Sequence, residues 1–139
     1  MPSGAIDIQG GADRRLPLKS TDAYTKALTS LGPQHSAIVK SQVELFKADW
    51  EGGVSLTDLY RTWNYKAPKV PQVCKAHHLR QIHCAGSFRI WFAPDPTNSS
   101  MQTLHAWRKQ STAEQNALIK KLCRSLAVQK ENHGTRRRN

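Results

Sequence analysis

Between Cys74 and Lys109 the chain gathers side chains that can act on a phosphodiester. Arg80, Arg89, Arg108 and Lys109 supply positive charge, and His78, His83 and His105 can exchange protons near neutrality. RNA cleavage without a metal uses the ribose 2′-OH as nucleophile on the adjacent phosphate. The reaction needs a proton acceptor at that hydroxyl, cations beside the pentavalent phosphorane and a proton donor for the 5′-oxygen. Arginine suits the phosphate because its planar fork holds two oxygens at once. Arg89 is therefore the first candidate for transition-state stabilisation, Arg80 and Lys109 are further phosphate contacts, and His105 is a candidate general acid or base. His78 and His83 follow His105 as weaker candidates. Such a site calls for no metal and no cofactor.

The elements that must position these groups are short strands. Phe88–Phe92 and Thr103–Trp107 are runs rich in aromatic and aliphatic residues that flank the turn-rich segment Pro94–Ser100. A third strand, around His77–His83, precedes them across the turn Ala85-Gly86-Ser87, which gives an antiparallel three-stranded meander. Alternation puts Phe88, Ile90 and Phe92 on one face, under a helical layer, and Arg89, Trp91 and Ala93 on the other. On that second face Trp91 is placed to stack on a base, Arg108 adds charge, and Trp107 reads as core. Lys66 and Lys69 lie in the Pro-rich loop Tyr65–Gln72, either as solvated cations or as a basic loop over the substrate.

The remaining chain supplies the helices. Arg14–Lys19 reads as an edge strand, limited to that position by Pro17. Ser20, Thr21 and Asp22 are N-cap candidates for a helix to about Leu31, whose inner stripe is Tyr24, Ala27, Leu28 and Leu31. Gly32-Pro33 ends it. A second helix runs from about Gln34 to Trp50, with an expected inner stripe of Ala37 or Ile38, Ser41 or Gln42, Leu45, and Asp49 or Trp50. Leu56, Leu59, Tyr60 and Trp63 allow a short third helix. After the meander, Ser111 or Thr112 with Gln115 opens a helix from about Ala113 to Gln129. The expected fold class is α+β: a helical hairpin on a small twisted antiparallel sheet, a possible N-terminal edge strand and a C-terminal helix. Residues 1–13 read as a flexible leader, 14–130 as a single domain and 131–139 as a basic tail.

Composition narrows the partners. Among 139 residues, 21 Lys and Arg face 10 Asp and Glu, so the net charge is +11. That excess favours nucleic acid, an anionic membrane or an acidic partner. No stretch is long and apolar enough to span a bilayer, and no secretory signal is visible. Three cysteines, an odd number in a chain without a signal, fit a reducing, cytoplasmic setting.

The order of these elements resembles the RelE/HigB superfamily (RelE/ParE) of toxin–antitoxin ribonucleases. The residues that carry the resemblance are Leu79-Arg80, Gly86 with Phe88-Arg89-Ile90, and Leu104-His105-Ala106-Trp107 followed by Arg108-Lys109. It implies an mRNA-cleaving toxin, often acting on the ribosome, neutralised by an antitoxin protein. Some members place a catalytic tyrosine on the terminal helix, but here Thr112–Leu118 hold none. Two other readings stand beside it. One is a noncatalytic RNA-binding or regulatory protein on the same scaffold. The other is a zinc-binding nucleic-acid module built from Cys74, His77, His78, His83 and Cys84, although a continuous strand would send His83 and Cys84 to opposite faces.

Overall fold

The computed structural model describes residues 13–69 and 77–138, with side chains as far as Gln129. Its elements, in chain order, are β1 (Leu18–Ser20), α1 (Asp22–Leu31), α2 (Pro33–Glu51), α3 (Leu56–Trp63), β2 (Arg80–Cys84), β3 (Phe88–Asp95), a single 3-10 turn (Pro96–Asn98), β4 (Ser100–Arg108) and α4 (Thr112–Arg138). The fold is α+β, as its pattern predicts.

The strands form one sheet in the order β1-β4-β3-β2. The meander is antiparallel, with Ile82 opposite Ile90 and Ile90 opposite Ala106. The edge strand β1 runs parallel to β4, with Leu18 opposite Met101, so the sheet is mixed rather than wholly antiparallel. Pro17 sits just outside β1, where its missing N–H leaves no ladder bond unmade, and its carbonyl accepts from the Met101 N–H. The Glu51 carboxylate accepts from the Leu18 N–H, and the Trp50 indole N–H donates to the Leu16 carbonyl. These two bonds tie the short edge strand to α2. A register shift at Trp91/Phe92 lets both Leu104 and His105 fall opposite a single position of β3.

Side-chain caps start three helices. Thr21 Oγ1 accepts from the Tyr24 N–H, Ser55 Oγ from the Asp58 N–H, and Ser111 Oγ from the Glu114 N–H. Gly32, at φ 87°, separates α1 from α2 in a conformation that a residue with a side chain resists, and Pro33 then occupies the first turn of α2.

Two apolar layers cover the two faces of the sheet. On the first face α1, α2 and α3 bury Tyr24, Leu28, Val39, Val43, Phe46, Trp50, Leu59 and Trp63 against Ile82, Phe88, Ile90 and Phe92. The stripe of α1 is the expected one. In α2 it is Val39, Val43, Phe46 and Trp50; Ile38 and Leu45 face outward instead, and Leu45 is 56% exposed. The second face carries Leu79, Trp91, Ala93 and Leu104, and α4 lays Ile119, Cys123 and Leu126 across it. Cys84 is a buried free thiol, whereas Cys123 is disulfide-bonded, so the expectation of uniformly reduced cysteines does not hold for it. The helix α4 continues to Arg138, past the Gln129 end read from its periodicity. Asp13, assigned in the sequence to a flexible leader, is held by two hydrogen bonds, one from the Tyr65 hydroxyl at 2.6 Å and one from Arg80 Nε at 3.1 Å.

Candidate functional site

Two of the residues expected to act together are separated by the sheet. Strand alternation places Arg80, Ile82 and Cys84 on the face of α1–α3, and Gln81 and His83 on the face of α4. Arg80 forms an ion pair with Asp13 at 3.1 Å and also donates to the Leu79 carbonyl at 3.0 Å. It is a structural clamp at the margin of the first layer, beside Tyr65, and lies across the sheet from Arg89. Arg108, opposite Phe88, shares the Arg80 face and is exposed.

The second face differs from expectation in a further way. It is closed by α4, and Trp91 is completely buried in it. Its indole N–H donates to Gln81 Oε1 at 3.0 Å. Trp91 is thus a core residue, and no base can stack on it. His105 is half-buried beside Trp91, with ring centroids 6.1 Å apart. Desolvation lowers its pKa, and the charge of Lys121 on α4 lowers it further. That environment describes a packed histidine under the helix.

The end of this face where β4 leads into α4 is less covered: His83 and Lys109 are partly exposed and Lys66 is exposed. Arg89 stands there, opposite Trp107 on β4 and His83 on β2. It keeps 9% of its surface, and its Nη1 donates to the Gly86 and Phe88 carbonyls at 3.0 and 3.1 Å. Burial lowers the guanidinium pKa, against a smaller opposing effect of Cys84, but an arginine stays charged at neutral pH. The Lys109 backbone N–H is fixed on the Ser87 carbonyl at 2.7 Å, which ties the end of β4 to the β2–β3 turn. Lys66 reaches the same place from the loop after α3, because its backbone pairs with Gln81 in both directions. Lys69 and His78 are exposed, and no interaction among the described residues brings either to this cluster.

His83 lies at the centre. The Asn64 amide nitrogen is 3.1 Å from its Nδ1 and 3.3 Å from its Nε2, and the Gln81 amide nitrogen is 3.4 Å from Nε2. Asn64 is delivered by the left-handed C-cap of α3, at φ 55°. Burial first, then the charges of Arg89, Lys66 and Lys109, push the His83 pKa down to about 4, so the ring is neutral at physiological pH. The sequence gives His83 no priority over His78 or His105. Its distinction comes from three cations on three separate segments, a convergence visible only in the folded chain.

Among the described residues no group of three His, Cys, Asp or Glu side chains can hold a metal ion. Cys74 lies outside the described residues, and His83 and Cys84 do point to opposite faces of β2. No helix among the described residues is long and apolar enough to cross a membrane. Comparison with protein-family models, curated proteins and solved structures returned no match.

Proposed function

We propose that the chain binds RNA through the cationic end of the sheet and cleaves mRNA there, free or on the ribosome, as a cytoplasmic ribonuclease toxin neutralised by an antitoxin protein. The observation that carries this reading is the convergence on His83 of Arg89, opposite it in the sheet, Lys66, whose backbone pairs with Gln81, and Lys109, whose N–H is fixed on the β2–β3 turn. Three like charges held together by a sheet, a turn and a loop repel one another, and an anion relieves that repulsion. A phosphodiester also needs what this end of the sheet offers: fixed positive charge at the margin of an apolar layer, where electrostatic stabilisation is stronger than in open water. The net charge of +11 supports nucleic acid as the source of that anion. Placement in the cytoplasm rests on where mRNA is found; the Cys123 disulfide weighs against it, and thiol titration of protein extracted from cells under alkylation tests that part separately.

Relative to the sequence reading, the site moves. Arg89 and Lys109 stay, Lys66 joins them, and Arg80, Trp91 and His105 leave. Induced expression in a bacterial host tests the proposal: growth arrest with fragmented mRNA is expected, and the paired substitution Lys66→Ala with Lys109→Ala should relieve both. RNA binding without fragmentation would make the protein a noncatalytic RNA binder on this scaffold. Loss of neither growth nor mRNA integrity, with no RNA bound, would end the reading.

A further inference from the structure

The geometry assigns His83 the role of proton acceptor for the ribose 2′-hydroxyl, with Gln81 as the positioning residue that keeps its Nε2 unprotonated. The inference rests on the ribonuclease reading above and names the group that the reading lacks.

The argument starts in the core. An indole N–H can only donate, and that of Trp91 donates to Gln81 Oε1 at 3.0 Å in a buried setting. The Gln81 amide is thereby oriented: its oxygen faces Trp91, and its NH2 faces His83 Nε2 at 3.4 Å. An NH2 group cannot accept, so a proton on Nε2 would meet another donor. The neutral ring therefore carries its proton on Nδ1. Asn64 lies against that nitrogen, and the two ends of its amide are interchangeable in shape, so its oxygen is the end that satisfies Nδ1–H. Asn64 also lies 3.3 Å from Nε2; both this contact and the 3.4 Å one to Gln81 are long for hydrogen bonds, and a hydroxyl approaching Nε2 can displace them.

The surroundings make the ring responsive to substrate. The charged groups that face it are Lys66 from the loop after α3, Arg89 from β3 and Lys109 from the end of β4, all of them cations. Without a ligand, burial first and these cations second hold the imidazole neutral. A phosphodiester entering among them neutralises part of that charge, and the proton affinity of the ring rises as substrate binds. In the reaction the 2′-O–H bond breaks, and its proton passes to Nε2. The oxygen's electron pair forms the 2′-O–P bond, the P–O5′ bond breaks, the departing 5′-oxygen takes a proton from water, and the hydroxide left behind takes the proton from Nε2, which restores the neutral ring. The products are a 2′,3′-cyclic phosphate and a 5′-hydroxyl.

Two measurements test this. In 15N spectra of the histidine-labelled protein at neutral pH, the signals that disappear in His83→Asn should belong to an Nδ1–H tautomer; an Nε2–H tautomer would overturn the positioning role of Gln81 and with it the assignment. On an RNA transcript, His83→Asn should lower kcat roughly 10²–10⁴-fold while affinity for a 2′-O-methyl copy of the transcript is unchanged. In the wild type the acid limb of kcat/KM should fall at about pH 4, that of kcat higher, and both should vanish in His83→Asn. A wild type that cleaves alongside a His83→Asn protein that cleaves equally fast sinks the proton-acceptor role and spares the ribonuclease reading. A wild type that binds the transcript without cleaving it sinks both.

Discussion

The two faces of the sheet are built to different ends. The face under α1–α3 is a continuous aromatic core: Phe46 stacks on Phe92 with centroids 5.0 Å apart and also meets Trp50, Trp63 and Tyr65. Polar groups at its edges are bonded outward, as with the Trp63 indole on Asp49. The α4 face has a thinner apolar layer centred on Trp91 and Ile119, and polar side chains enter it: Gln81, Arg89 and Gln102 are all largely buried there. Polar groups in a core cost stability unless each is paired. A layer that keeps them is the better place to look for chemistry, and its open end is where the cations meet.

The first way to break this comparison is by stability. Phe46→Ala should cost about 3–5 kcal/mol and Ile119→Ala about 2 kcal/mol in urea unfolding, since the destabilisation grows with the packing removed and the cavity left behind. Equal costs would mean that the two layers carry equal weight. Trp91→Phe sharpens the point at smaller cost. It keeps an aromatic ring and removes one buried donor, leaving Gln81 Oε1 unpaired, for about 1–3 kcal/mol. It should also scramble the tautomer of His83, because Gln81 is then free to turn.

Much of the architecture is legible in the chain. Tyr24, Ala27, Leu28 and Leu31 mark the inner face of α1 because no second apolar row competes with them. The alternation in β3 likewise sorts Phe88, Ile90 and Phe92 from Arg89, Trp91 and Ala93 correctly. In α2 two rows compete. Ile38 and Leu45, seven residues apart, suggest one stripe; Val39, Val43, Phe46 and Trp50 make a longer one, and tertiary burial selects it. In α4 the buried line is Ile119, Cys123 and Leu126, while Ala117 and Lys121 face solvent. The site is less legible for a different reason. Alternation says that Arg89 and Trp91 share a face, but nothing in a single strand says what covers that face. The helix that seals Trp91 comes from the far end of the chain, and the lysine beside His83 comes from a loop before β2. Asn64 has no local signal beyond its capping position.

Acid titration separates the layers next. The folded pKa of His83 lies at about 4, below its ordinary value of 6.5, and that of His105 is lowered as well. A histidine kept neutral by folding binds fewer protons than the same residue in the unfolded chain. Its contribution to stability is therefore complete above pH 6.5 and is lost as pH falls towards 4. Urea midpoints should decline over that window, and His83→Asn should flatten the part of the decline that arises at the open end. An unchanged slope in that variant would place the acid sensitivity under α4, with His105.

The smallest expected effect concerns Lys66, and it isolates the open end from the cores. The side chain is exposed, so Lys66→Ala should leave unfolding within about 0.5 kcal/mol of wild type. Binding of single-stranded RNA should still weaken, because a lysine that neutralises a phosphate releases a counterion. The slope of log affinity against log salt should fall by about 0.7 for the one phosphate no longer neutralised. Lys69→Ala, in the same loop but without the pairing to Gln81 that brings Lys66 to His83, should leave that slope unchanged. If the two substitutions weaken binding alike, the loop acts as a diffuse basic surface, and the convergence on His83 is no guide to where the phosphate sits.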